Sequence, residues 1–166
     1  MTDFNKASYK FDRRWHLGLM FGSTVLALLA LGPGWYAKEV LAPYHLHYSF
    51  FSWLCHQDPT RSFDFMGTQM AVCSRCLGIY SSFALGFYLL MFGKLFGYQP
   101  SFTTMRTALM IALVLNGGDI AANALNIWTN TLYSRLLLGI LFGLSASVLL
   151  GAFSGARSKP VKLSLE

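Results

Sequence analysis

Charge is what this sequence has least of. Only 12% of its 166 residues are Asp, Glu, Lys or Arg, against roughly 25% in a soluble domain. So thin a supply cannot cover a water-facing core. Cysteine is scarce as well: three residues, all between positions 55 and 76. An odd, single cluster leaves no second cysteine pair for relaying electrons through the protein. Missing too is a small-residue cleavage pattern behind the first apolar run, which itself begins after a polar stretch. That run therefore reads as a retained helix and not as a secretory leader.

What fills the chain instead is apolar and aromatic, at 54% and 16% of residues. Its length suits one domain, 1–166. Four apolar runs stand out, at about 15–31, 77–96, 107–125 and 132–153. Runs of this length match the roughly 20 residues that a helix needs to cross a 30 Å hydrocarbon layer. Long continuous runs satisfy their backbone there as helices. The expected fold is all-α, a membrane bundle of four transmembrane helices. An extracytoplasmic Cys/His loop at about 32–76 joins the first helix to the second. Within it, Pro43–Trp53 is dense in aromatic residues, with Trp35 and Tyr36 just before, which suits a short helix lying in the membrane interface.

The net charge of +6 would suggest nucleic acid in a soluble protein. Here the basic residues flank apolar runs and act as topology signals, so no nucleic-acid partner is expected; the partner is the lipid bilayer. Nine of the thirteen Lys and Arg, from Lys6 and Arg14 through Lys94 and Arg106 to Lys162, fall on one side of the four runs. The positive-inside rule then puts both termini in the cytoplasm of a multi-pass protein of the inner, cytoplasmic membrane.

Small residues recur four apart: Gly18 and Gly22; Gly78, Ser82 and Gly86; Gly139, Gly143, Ser147 and Gly151. That spacing lets helix backbones approach closely in lipid. The third run carries a polar stripe, Asn116, Asp119, Asn123 and Asn126, on one helical face. Asp119 is the only acid inside the runs and Arg135 opens the fourth. Both belong near the outer mouth, where an ion pair between them is expected.

Cys55-His56 and Cys73-Ser74-Arg75-Cys76 supply four soft donors, the count and type of a tetrahedral zinc site. Because adjacent residues seldom both reach one metal, either Cys55 or His56 can fall outside the ligand set. A CxxC at a helix start is favoured in its ionised form by backbone N–H groups and the helix dipole. Arg61 and Arg75 would offset the charge of bound thiolates, and Asn123 would line an adjoining cavity. A site closed by four protein ligands would be structural or regulatory. Three ligands plus water would give a metal-dependent activity, with Asp119 and Arg135 as catalytic candidates and an anionic lipid or small anion as substrate. Oxidised, Cys73 and Cys76 would instead serve thiol–disulfide chemistry linked to a quinone.

The segments Cys55-His56-Gln57, Arg61-Ser62-Phe63 and Cys73-Ser74-Arg75-Cys76-Leu77-Gly78-Ile79-Tyr80 resemble the signature of a family of small prokaryotic multi-pass membrane proteins, a domain of unknown function. The resemblance runs from Cys55 to about Gly143 and takes in Asp119, Asn123, Arg135, Gly139 and Gly143. Family members often carry Gln at the position of Asn123, Pro at that of Ala71 and Gly at that of Ile120. The resemblance implies that these site residues belong together. It implies no activity.

Overall fold

A computed structural model describes residues 13–32, 48–97 and 101–153. The cationic flanks at Lys6, Lys10, Arg157, Lys159 and Lys162, Trp35 and Tyr36, and the aromatic residues at 43–47 lie outside the described residues. Four long helices organise the described residues: α1 (Arg13–Ala30), α2 (Ser74–Leu95), α3 (Phe102–Ala124) and α4 (Leu132–Phe153). Three contain stretches long and apolar enough to cross a membrane, Ser74–Gly93, Phe102–Ala124 and Leu132–Gly151. The apolar part of α1, Arg14–Ala30, is shorter; a charged pair opens it and Gly32, in left-handed conformation, ends it.

The closest contact in the bundle is between α2 and α4, and glycine makes it possible. A Cβ on Gly78 would collide with the carbonyl oxygen of Leu136, one on Gly139 with that of Arg75, and one on Gly143 with that of Ile79. On the same seam Gly86 faces the side chain of Ser147, which is fully buried. In hydrocarbon there is no hydrophobic drive to bring helices together, so close van der Waals packing of this kind does that work. Gly18 and Gly22 in α1 share the spacing but have nothing within 4 Å of a Cβ position. α1 meets α2 through polar contacts: buried His16 places Nε2 3.0 Å from the carbonyl oxygen of Phe87, and Thr24 Oγ1 lies 3.1 Å from the Tyr88 hydroxyl.

α3 is the outlying helix, held to α4 by Asn116. Its Nδ2 donates to the carbonyl of Ala112 at 2.9 Å and, across the interface, to that of Leu138 at 3.0 Å. Most of α3's large apolar side chains, among them Ile111, Val114 and Ile120, point outward, as a lipid-facing helix requires. The helix ends at Ala124, two residues short of the expected polar stripe's last member. Asn126 has a φ of 56°, and the Ile127 N–H donates to the carbonyl of Ala122 at 3.0 Å. Asn tolerates the left-handed conformation this cap needs, so Asn126 closes the helix and does not share its face.

Between α1 and α2 the described chain forms a compact cap. Residues 48–52 are helical. A 3₁₀ turn, Pro59–Arg61, is capped by Asp58, and β1 (Asp64–Phe65) pairs antiparallel with β2 (Thr68–Gln69). Gln57 ties the parts together: its Nε2 donates to the carbonyls of Tyr48 at 2.8 Å and Ala71 at 2.9 Å. Phe51, Ala71 and Val72 bury a small core against Ala30 and Cys55. The last turn of α1, the first turns of α2 and α4 and the end of α3 thus meet at one end of the bundle. Trp53, Trp128 and Tyr133 are exposed there, aromatic rings of the kind that settle at a membrane interface.

Candidate metal centre

α2 begins earlier than the hydrophobic run suggests, at Ser74 and not at Leu77. Cys73 consequently caps the helix: its carbonyl accepts the Leu77 N–H at 2.9 Å. Cys76 sits within the first turn, so the CxxC spacing brings both thiols to the helix N-terminus. Cys55 arrives from the cap, anchored by its own N–H to the carbonyl of Phe51 at 2.8 Å, and its Sγ accepts the Cys73 backbone N–H at 3.2 Å. All three cysteines are free, and their Sγ atoms lie within 4.8 Å of one another. The Cys73 thiol is held well below the ordinary thiol range, first by hydrogen bonds from Cys55 and Cys76, then by the N–H groups of Cys76 and Arg75. Those amides are the otherwise unsatisfied donors of a helix start.

His56 does not join the three thiols. It is exposed on the rim, while its neighbour Cys55 is buried. Successive residues leaving a helical turn point in different directions, so one neighbour faces inward and the other out. Among the described residues the metal-capable group is therefore Cys55, Cys73 and Cys76.

The thiols open onto a cavity of about 340 Å³, whose wall includes Arg61, Arg75, Asn123, Asn130 and Arg135. Here the expected pairing of Asp119 with Arg135 is corrected. Asp119 accepts a hydrogen bond from Arg75 Nη2, and its second donor is Asn130 Nδ2 at 2.7 Å. With α2 starting at Ser74, Arg75 lies in the first turn and reaches α3 before Arg135 does. Asp119 itself stands behind the wall, orienting two residues that line the cavity. Arg61 bonds Asp58 at 3.0 Å at the exposed rim. Arg135 makes no ion pair among the described residues, and its buried Nε has no hydrogen-bond acceptor; the same holds for Arg75 Nε. Asn123 lines the cavity and its Oδ1 accepts the Asn130 N–H at 3.4 Å.

Asn130 is a wall residue that the sequence did not bring forward. It lies in the turn between α3 and α4, where no helical period flags a polar side chain. Ser74 Oγ, buried and without a partner among the described residues, lies between Cys73 and Cys76 at the start of α2.

An uncharacterized protein of Methanocaldococcus jannaschii is 47% identical over 47 residues, covering 28% of this chain and 30% of its own. Another, from Methanothermobacter thermautotrophicus, is 34% identical over 67 residues, or 40% of this chain and 60% of its own. The chain thus spans less than two thirds of the length of either relative. No solved structure matches. The profile of one family, described as predicted membrane protein (DUF2085), matches residues 55–149, more than half the chain and all of the cavity lining except Leu54; the chain belongs to that family.

Proposed function

We propose that Cys55, Cys73 and Cys76 hold one soft metal ion, zinc by the chemistry of the donors, at one mouth of a membrane bundle in which α1 supplies a fourth span. The observation that carries this reading is the gathering of three free thiols within 4.8 Å. Tetrahedral zinc with sulfur at about 2.3 Å sets its ligands about 3.8 Å apart, so little movement is needed. The fit rests on donor chemistry as well: one thiol is already favoured as thiolate, and thiolate is the ligand form.

Three protein ligands leave a tetrahedral position for something from the cavity, which favours an active or metal-handling site over a closed clip. A bound metal would supply Lewis acidity there. The chain's own residues have separate tasks in this reading. Asp119 holds Arg75 and Asn130 in place, while Arg135 lines the same cavity as the thiols and offsets the negative charge of a metal held by three thiolates. The charge bias along the sequence supports an inner-membrane orientation with both termini cytoplasmic; reporter fusions at Lys6 and Lys162 test it.

The purified, detergent-solubilised chain should carry about one equivalent of zinc by elemental analysis. Cys76→Ser should release it, and His56→Ala should not. A metal-free protein with a Cys73–Cys76 disulfide would overturn the reading. That result would promote thiol–disulfide exchange, which draws its support from the lowered Cys73 thiol. Loss of zinc in His56→Ala would show a closed, four-ligand site.

A further inference from the structure

We infer that the cavity binds a phosphate oxyanion, seated on Arg75 and Arg135 beside the three thiols. The inference rests on reading this cavity as the functional site, and it deepens that reading by naming the ligand. Its grounds are two guanidiniums on the cavity lining. A guanidinium offers five N–H groups on three nitrogens in a planar fork and no acceptor. Among the described residues Arg135 has no acid, and Arg75 gives one nitrogen, Nη2, to Asp119; both line the cavity. Two guanidiniums with N–H donors to spare around one cavity suit an oxygen-rich anion held by charge-assisted bonds.

Charge sharpens the choice. Inorganic phosphate or a phosphate monoester carries about −1.5 to −2 at neutral pH on three or more acceptor oxygens, which matches two guanidiniums better than a singly charged carboxylate or phosphodiester does. At about 340 Å³ the cavity falls at the lower end of small-molecule sites. It has room for a phosphate with a modest substituent, whether a lipid headgroup or a soluble monoester.

Phenylglyoxal modification of the wild-type chain in detergent, mapped by mass spectrometry, tests the idea without any substitution. Inorganic phosphate should slow modification of Arg135 and Arg75 several-fold, with chloride at equal ionic strength giving no protection. Exposed Arg106, near the start of α3 and away from the cavity wall, should react alike in both. The second arm uses phosphatidylcholine vesicles with or without phosphatidic acid. Protection by phosphatidic acid alone assigns the phosphate to a lipid headgroup, and protection by inorganic phosphate assigns it to a soluble ligand. In calorimetry, whichever ligand protects should bind Arg135→Gln at least about tenfold more weakly.

Equal modification of Arg135 under every condition overturns the inference, as does a folded Arg135→Gln that binds within twofold of wild type. Should the variant not fold, the wild-type protection result decides. Zinc measured in the same samples keeps the two readings apart. Zinc without protection means that Arg135 only balances a metal–thiolate charge, which sinks the phosphate. Protection without zinc sinks the metal and leaves the phosphate standing.

Discussion

Replacing Asp119 by Asn removes one charge and almost no volume, so it weakens the ion pair with Arg75, and the hydrogen bond from Asn130 on the same oxygen, while keeping the shape. In the structure the carboxylate is 10% exposed and its partner Arg75 18% exposed. Breaking a fully buried pair by removing one member costs roughly 3–5 kcal/mol, because the other charge is left without compensation. Arg75 also borders a cavity that admits water, and Asn can still accept one hydrogen bond, so the expected loss is smaller, about 2–3 kcal/mol. The partner can be identified by double-mutant cycles, using reversible unfolding of the detergent-solubilised chain in sodium dodecyl sulfate followed by circular dichroism. Asp119→Asn combined with Arg75→Gln should show a coupling of about 2 kcal/mol, since the second change removes the charge that the first left stranded. Asp119→Asn combined with Arg135→Gln should be additive within about 0.5 kcal/mol. A larger coupling to Arg135 than to Arg75 would refute the pairing, and with it the placement of Asp119 behind the wall.

Other consequences follow from packing and from the thiols. Gly139→Ala forces a methyl group onto the Arg75 carbonyl and should cost about 1–3 kcal/mol in the same unfolding assay, whereas Gly22→Ala meets nothing and should be neutral or slightly stabilising; equal effects would refute the α2–α4 seam. In metal-stripped protein Cys73 should be thiolate throughout the neutral range, because its folded pKa is lowered. Its iodoacetamide labelling should therefore change little between pH 6 and pH 8, and a rise of about tenfold per pH unit would mark an ordinary thiol.

The helix seam was legible because its cause is local and periodic. Gly78, Ser82 and Gly86 face Gly139, Gly143 and Ser147, and each set recurs every four residues in a long apolar run. The same spacing at Gly18 and Gly22 misled for a physical reason. A stripe of small residues permits close approach, but it cannot say whether a partner is there. α1 instead meets α2 through His16 and Thr24, isolated polar residues with no period to reveal them. Asn126 misled in a different way. Its spacing continues the stripe of α3, yet an Asn near a helix end is as well suited to the left-handed cap it forms.

Reading the site depended on helix ends, which sequence patterns locate poorly. Hydrophobicity begins at Leu77, but the helix begins at Ser74. Those three residues decide the site's chemistry. They make Cys73 a cap and bring its thiol under free amide donors. They also set Arg75 in the first turn, where it takes Asp119 from Arg135. An acid that two arginines could reach has gone to one of them, and the other is left lining the same cavity as three thiols with no acid among the described residues. Had Asp119 paired with Arg135, the cavity would hold a closed ion pair and Arg75 would lie free over α3. The observed exchange gathers both the soft donors and the unspent positive charge around one cavity. That is the arrangement a site needs to hold a metal and an anion side by side.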